Sequence, residues 1–173
     1  MPVTYVLPLR WEQVDPAAVG NLTDYFRGLA EHVEIIVVDG SPPEVYAHHR
    51  SAWRNLVEHI PPDPAYTFLN GKVNGVCTGV YAARHEHVVV ADDDVRHTVD
   101  TLAAIHRELY TASVVRPQNY FDPLPWHARW DTARMLLNRS VGADYPGTLA
   151  VRRSTFTAMG GYDGNVLFEN LEL

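Results

Sequence analysis

The sequence predicts a single α/β domain with a mostly parallel, mixed sheet flanked by helices, and three observations point there. Short apolar, β-branched runs alternate with stretches of helical period, the pattern that lays helices on the faces of a sheet. Two of the runs, "EIIVV" (Glu34 to Val38) and "HVVVA" (His87 to Ala91), are almost continuously apolar, as strands covered on both faces are. Polar or acidic residues follow the strands, at the ends where open α/β sheets bind ligands.

"VTYVL" (Val3 to Leu7) is the first strand. Asp15 and Pro16 suit a cap and first turn, and Val19, Leu22, Phe26 and Leu29 then recur at helical spacing. After the second strand, Ser41 and Glu44 have the spacing of a capping box, with Tyr46, His49, Trp53 and Leu56 along one face of the helix. "YTFL" (Tyr66 to Leu69) reads as a third strand, Lys72 to Ala83 as a short helix, and His87 to Ala91 as the fourth strand. Val99, Leu102, Ile105 or His106, and Leu109 continue as a helix, and "SVV" begins another strand near Val114. Trp126, Trp130, Ala133 and Leu137 form a helical stripe of the kind that belongs to a core, "GTLAV" (Gly147 to Val151) is a last strand, and "GGYDG" (Gly160 to Gly164) a turn.

The chain has 173 residues, 46% of them hydrophobic, enough for one domain with a real core. A net charge of -7 without any basic run argues against a nucleic-acid partner. Cys77 is the sole cysteine, so neither a disulfide framework nor a cysteine zinc site is available, which suits a reducing, cytoplasmic compartment. No signal peptide and no membrane segment is expected; the abrupt end at "LFENLEL" is read as the truncation of a longer chain, with membrane association expected only if a missing C-terminal part carries an anchor rather than acceptor-binding helices.

Candidate site residues are those just beyond the strands: Pro8, Leu9 and Arg10; Asp39, Gly40 and Ser41; Asp92, Asp93 and Asp94. The last three pose a problem, because two carboxylates about 4 Å apart repel by roughly 4 kcal/mol at the effective dielectric of a surface cleft. One Asp is explained as the cap of the following helix; three are not. No G-x-G-x-x-G follows a strand, and "NGKVNG" has Val73 where a phosphate-binding loop needs Ser or Thr. A divalent cation, Mg²⁺ or Mn²⁺, would relieve the repulsion and neutralise a diphosphate, since such ions take one or two carboxylates, water and substrate phosphates.

The succession of a strand ending at Pro8, "IIVVDGS", "GKVNGVCTGVYAARHEHVVVADDDVRHTVDTL" and "GTLAVRRSTFTAMGGYDGNVLFENLEL" resembles a family 2 glycosyltransferase of the GT-A fold over nearly the whole chain. That resemblance implies a nucleotide-binding half (1–97) and an acceptor-side half (98–173). It implies that Pro8, Leu9, Arg10 and Asp39 hold the base and ribose and that Lys72 reaches the nucleotide. Asp92 and Asp94 correspond to the D-x-D motif, with Asp94 a direct metal ligand and Asp92 nearer the ribose or the metal's waters. Asp93 is then a spacer, turned to solvent or capping the helix.

The implied reaction moves a sugar from a nucleoside-diphosphate donor to an acceptor hydroxyl with inversion, using a divalent metal. The family often takes its base from a Glu-Asp pair, and this chain has Glu169-Asn170. Glu169 is the favoured base, with Glu172 or a loss of transfer as the alternatives. A donor-binding scaffold and a nucleotidyltransferase of similar fold are the competing readings. His48 and His49 are expected at a helix surface, His85 and His87 in solvent, and "RPQNYFDPLPWHARW" (Arg116 to Trp130) beside the acceptor or in the core.

Overall fold

A computed structural model describes residues 1–118, 130 and 148–161. Its elements are β1 (Val3–Leu9), α1 (Pro16–Leu29), β2 (Glu34–Asp39), α2 (Pro43–Ala52), β3 (Glu58–Ile60), α3 (Gly71–Ala82), β4 (His87–Ala91), α4 (Val99–Glu108), β5 (Val114–Val115), β6 (Thr148–Arg152) and α5 (Arg153–Ala158). The strands form one sheet in the order β3-β2-β1-β4-β6-β5. Its first four strands are parallel, and β6 runs antiparallel to both β4 and β5.

The period of two along each strand divides the core between the faces of the sheet. Tyr5, Leu7 and Leu9 of β1, Ile35 and Val37 of β2, and Val89 and Ala91 of β4 pack with Val19, Leu22 and Phe26 of α1, Trp53, and Leu102 of α4. Val6, Ile36, Val38, Val88 and Val90 point the other way, onto Val73, Val76 and Val80 of α3 and Phe156 of α5. Helix α3 lies very close to β1: a methyl group on Gly79 would come within 2.3 Å of Val6 Cγ1.

Helix α1 starts as expected, with the Asp15 carboxylate accepting from the backbone N–H groups of Ala17 and Ala18, and Val19, Leu22, Phe26 and Leu29 all buried. The capping box at α2 does not form. Pro42 is the N-cap without a side-chain bond, and the Ser41 hydroxyl instead accepts from the Trp11 backbone N–H at 2.9 Å. Helix α2 also ends at Ala52, so Leu56 lies beyond it.

Strand β3 is Glu58–Ile60 rather than Tyr66 to Leu69, which is irregular chain. Tyr66 and Phe68 use their alternation to pack against the α3 side of the core, while Leu69 is 89% exposed. Ile105, rather than His106, is the buried residue of that pair on α4. Trp130 is helical but 77% exposed, so it is not the core residue its spacing predicts; Trp126, Ala133 and Leu137 lie outside the described residues. The turn after α5 uses Gly160 and Gly161 at φ 81° and 83°, a region where glycine is at ease.

Candidate functional site

The loops after β1, β2 and β4 converge at the carboxyl edge of the sheet, and a cavity of about 520 Å³ opens there. Pro8, Leu9 and Arg10 line it from β1, Gly71, Lys72 and Gly75 from α3, and Asp92 and Asp93 from β4. Gly75 makes room for the wall, since a Cβ there would stand 3.0 Å from Pro8 Cβ. Helix α3 brings its N-terminal turn to this cavity, with the Asn70 side chain capping the Lys72 N–H at 3.0 Å. Such a helix start favours anions because its N–H groups and dipole are directed outward.

The three aspartates are resolved in three different ways. Asp92 carries the alternation of β4 toward α3, where its Oδ1 accepts from the Lys72 ammonium at 2.8 Å; each side chain is 33% exposed. Asp93 turns to the other side and accepts from the Trp11 indole N–H at 2.7 Å. It is neither turned to solvent nor a helix cap, because Thr98 caps α4 by accepting from the Thr101 N–H. Asp94 is exposed on the turn closed by the Val95 N–H bond to the Asp92 carbonyl at 3.1 Å. Splaying and two separate donors therefore answer the repulsion between neighbours.

Asp39 does not line the cavity. The period of two that sends Val38 toward α3 sends Asp39 toward α2, where its side chain is fully buried. Its Oδ2 accepts from His49 Nδ1 at 2.8 Å and His59 Nε2 at 2.9 Å, and its Oδ1 from the Ser41 N–H at 2.9 Å. Burial alone would raise this carboxyl's pKa; the bonds from His49, His59 and Ser41 outweigh burial and hold it well below the usual carboxylate range. The two imidazoles are in turn fixed by rings: His49 stacks on Trp53 at 4.6 Å, and His59 stacks on Tyr46 at 4.4 Å.

The expectation of a surface His49 is thus wrong: its side chain is fully buried and is part of an aromatic cluster. His87 is also buried, at the amino end of β4 far along the strand from the cavity, with its Nδ1 2.7 Å from His106 Nδ1. Burial, then the neighbouring His106, lowers its pKa. Sequence reading missed Trp11 and His59 altogether. Trp11 binds Ser41 through its backbone and Asp93 through its indole, and its ring meets His49 edge-on at 5.0 Å, so one residue ties together all three loops.

Among the described residues, one cluster of three has donor atoms close enough together for a cation. Asp39, His49 and His59 bring one oxygen and two nitrogens within 4.8 Å of one another. Their outer nitrogens, His49 Nε2 and His59 Nδ1, are buried with no hydrogen-bond partner among the described residues. A metal-bound imidazole carries its proton on the outer nitrogen and donates it onward. Here that would leave two N–H groups buried without acceptors, whereas hydrogen bonding to Asp39 leaves only lone pairs there. The cluster fits a carboxylate clamp and does not fit a metal centre.

Asp92 and Asp94 differ: they offer hard oxygen donors with solvent access beside the cavity, a set that suits Mg²⁺ or Mn²⁺. Glu169, Asn170 and Glu172 lie outside the described residues. Among the described residues, no helix is long and apolar enough to cross a membrane.

A mixed sheet of this order, with a cavity at its carboxyl edge and acidic residues at the end of β4, is the nucleotide-diphospho-sugar transferase-like architecture, the GT-A fold. Among solved structures, the chain is similar to glucosyl-3-phosphoglycerate synthase from Mycobacterium tuberculosis, described in complex with Mn²⁺, UDP and glucosyl-3-phosphoglycerate. The TM-score is 0.61 at 19% identity, over 90% of this chain and 58% of that one. It is also similar to a mannosyltransferase from Pyrobaculum calidifontis in complex with GDP-mannose and Mn²⁺, with a TM-score of 0.66 at 16% identity over 98% of this chain and 49% of that one. The chain therefore spans 49% to 58% of the length of these proteins. At such identities the likeness establishes the fold. The sequence matches no protein-family model and no curated protein.

Proposed function

We propose that this chain is the donor-binding part of a divalent-metal-dependent glycosyltransferase that moves a sugar from a nucleoside-diphosphate donor to an acceptor hydroxyl. The observation that carries the reading is the meeting of Lys72, Asp92 and the start of α3 with Pro8, Leu9 and Arg10 around one cavity in a GT-A fold. A nucleoside diphosphate needs an apolar shelf, a cation and anion-binding N–H groups close together. Pro8 supplies the shelf, Lys72 the cation, and the first turn of α3 the N–H groups.

Asp92 and Asp94 would hold Mn²⁺ or Mg²⁺, the ion present in both solved neighbours being Mn²⁺. When bound, such an ion stabilises the negative charge that grows on a leaving diphosphate. Arg10, exposed and paired with Glu12 at 3.0 Å, stands at the cavity mouth as a second cation. Asp39 acts from behind: by fixing Ser41, and through Ser41 the backbone of Trp11, it positions the β1 loop against which the base and ribose rest. Glu169 is the proposed base of an inverting transfer, within the family 2 pattern given by D-x-D and "GGYDGNVLFEN".

The test is titration calorimetry with UDP and GDP in the presence of Mn²⁺, followed by diphosphate release from a panel of nucleotide sugars. Binding that needs Mn²⁺ and is lost in Asp94→Ala is expected. Metal-independent binding in both proteins would overturn the assignment, and pyrophosphate release from a nucleoside triphosphate would replace the transferase with a nucleotidyltransferase.

A further inference from the structure

The ion pair between Lys72 and Asp92 has a consequence beyond donor binding, and it rests on the functional reading above. Lys72 Nζ stands 2.8 Å from Asp92 Oδ1, and both residues line the cavity. A divalent ion taking the same carboxylate would sit about 2.0–2.1 Å from its oxygen for Mg²⁺. Ion and ammonium would then compete for one carboxylate at a distance where like charges repel strongly. Asp93 is already engaged by the Trp11 indole.

We infer that Lys72 is a gate on metal binding: it neutralises Asp92 while the cavity lacks a diphosphate and releases it when phosphate oxygens arrive. The lysine is built for such a move. It lies in the first turn of α3, its flexible stem is anchored by a capped helix start, and its side chain is one-third exposed. Incoming phosphate oxygens at the α3 N-terminus offer the ammonium a second anionic partner within reach of the same stem. Exchange of partners frees Asp92 and removes the positive charge beside it.

Metal and nucleoside diphosphate are then coupled in their binding, and by linkage each must strengthen the other by the same factor. Lys72 thus sets the order of events: the ion alone binds weakly, and the ion with a diphosphate binds well. This is a positioning and regulatory role for a residue otherwise counted only as a phosphate contact.

The experiment measures Mn²⁺ affinity by electron paramagnetic resonance of the free ion, with and without UDP or GDP, in the wild type, Lys72→Met and Lys72→Arg. Without nucleotide, Lys72→Met is expected to bind Mn²⁺ about tenfold more tightly than the wild type, since an uncompensated carboxylate attracts a cation more strongly. Lys72→Arg keeps the charge and should remain close to the wild type, which also guards against a folding artefact. Equal or weaker binding of Mn²⁺ alone by Lys72→Met, with nucleotide-dependent Mn²⁺ binding observed in the wild type, overturns the gate and leaves the donor site standing. Absence of Mn²⁺ binding in all three proteins, with or without nucleotide, overturns the gate and the donor site together.

Discussion

Replacing His59 by Phe isolates one bond of the buried Asp39 clamp. Phe preserves the ring that stacks on Tyr46 at 4.4 Å and lies edge-on to Trp53 at 5.7 Å, and it removes the nitrogen that donates to Asp39 Oδ2 at 2.9 Å. His49 and Ser41 still donate, so the carboxylate loses one of three bonds rather than all of them. A hydrogen bond to a charged group is worth about 1.5–3 kcal/mol, and that is the expected loss of stability at neutral pH. For a chain of this size about 2–4 °C is lost per kcal/mol, giving a fall of about 3–12 °C in Tm by calorimetry or circular dichroism. In an Asp39→Asn background the same substitution should cost less, because the bond then ends on a neutral amide.

The pH dependence has a definite sign. The Asp39 carboxyl is held below its unfolded value of about 3.9, so its contribution is complete above that value and is lost as the pH falls toward the folded value. With one donor fewer the depression is smaller, so the gap between wild type and His59→Phe is widest at pH 5 and above, on the order of the neutral-pH value, and narrows on acidification below about pH 4. A loss under about 0.5 kcal/mol at neutral pH, within the ordinary range of surface substitutions, would refute the clamp.

Three further outcomes are expected. Nitrogen-15 spectra of labelled histidine should show His49 protonated at Nδ1 and His59 at Nε2; the opposite tautomers would reopen the cluster as a metal centre. Trp11→Phe removes the indole bond to Asp93 while keeping an aromatic ring beside His49, and should cost about 1 kcal/mol of stability in urea unfolding and weaken UDP or GDP binding by freeing the β1 and β4 loops. Gly79→Ala drives a methyl group to 2.3 Å from Val6 Cγ1 and should cost about 1–3 kcal/mol, as overpacking of a tight core does; an unchanged urea midpoint would mean that α3 does not seat on β1 as described.

The parts of the fold that follow from local pattern were legible in the sequence. The apolar run at 87–91 is β4 to the residue, and Asp15 caps α1 because its side chain reaches N–H groups only two and three residues away. Strand β3 was not legible. Its three residues, Glu58–Ile60, are too few for a period to register, and they form a strand because the open edge of β2 offers partners at Ile36, Val37 and Val38. The capping box failed for a related reason: the Ser41 hydroxyl had a tertiary suitor in the Trp11 backbone, thirty residues back along the chain.

By itself the sequence determined that an α/β sheet carries polar residues on its carboxyl edge, with Asp92 and Asp94 next to the end of a buried strand, because side-chain period and strand direction are local properties. Only the tertiary structure decided what each carboxylate does there. Asp39, Asp92 and Asp93 look alike on paper; one is locked behind the wall by His49 and His59, one pairs with a lysine at the cavity, and one ties down a tryptophan. Those partners lie between 10 and 82 residues away along the chain, and a charge takes its role from the groups that fold against it.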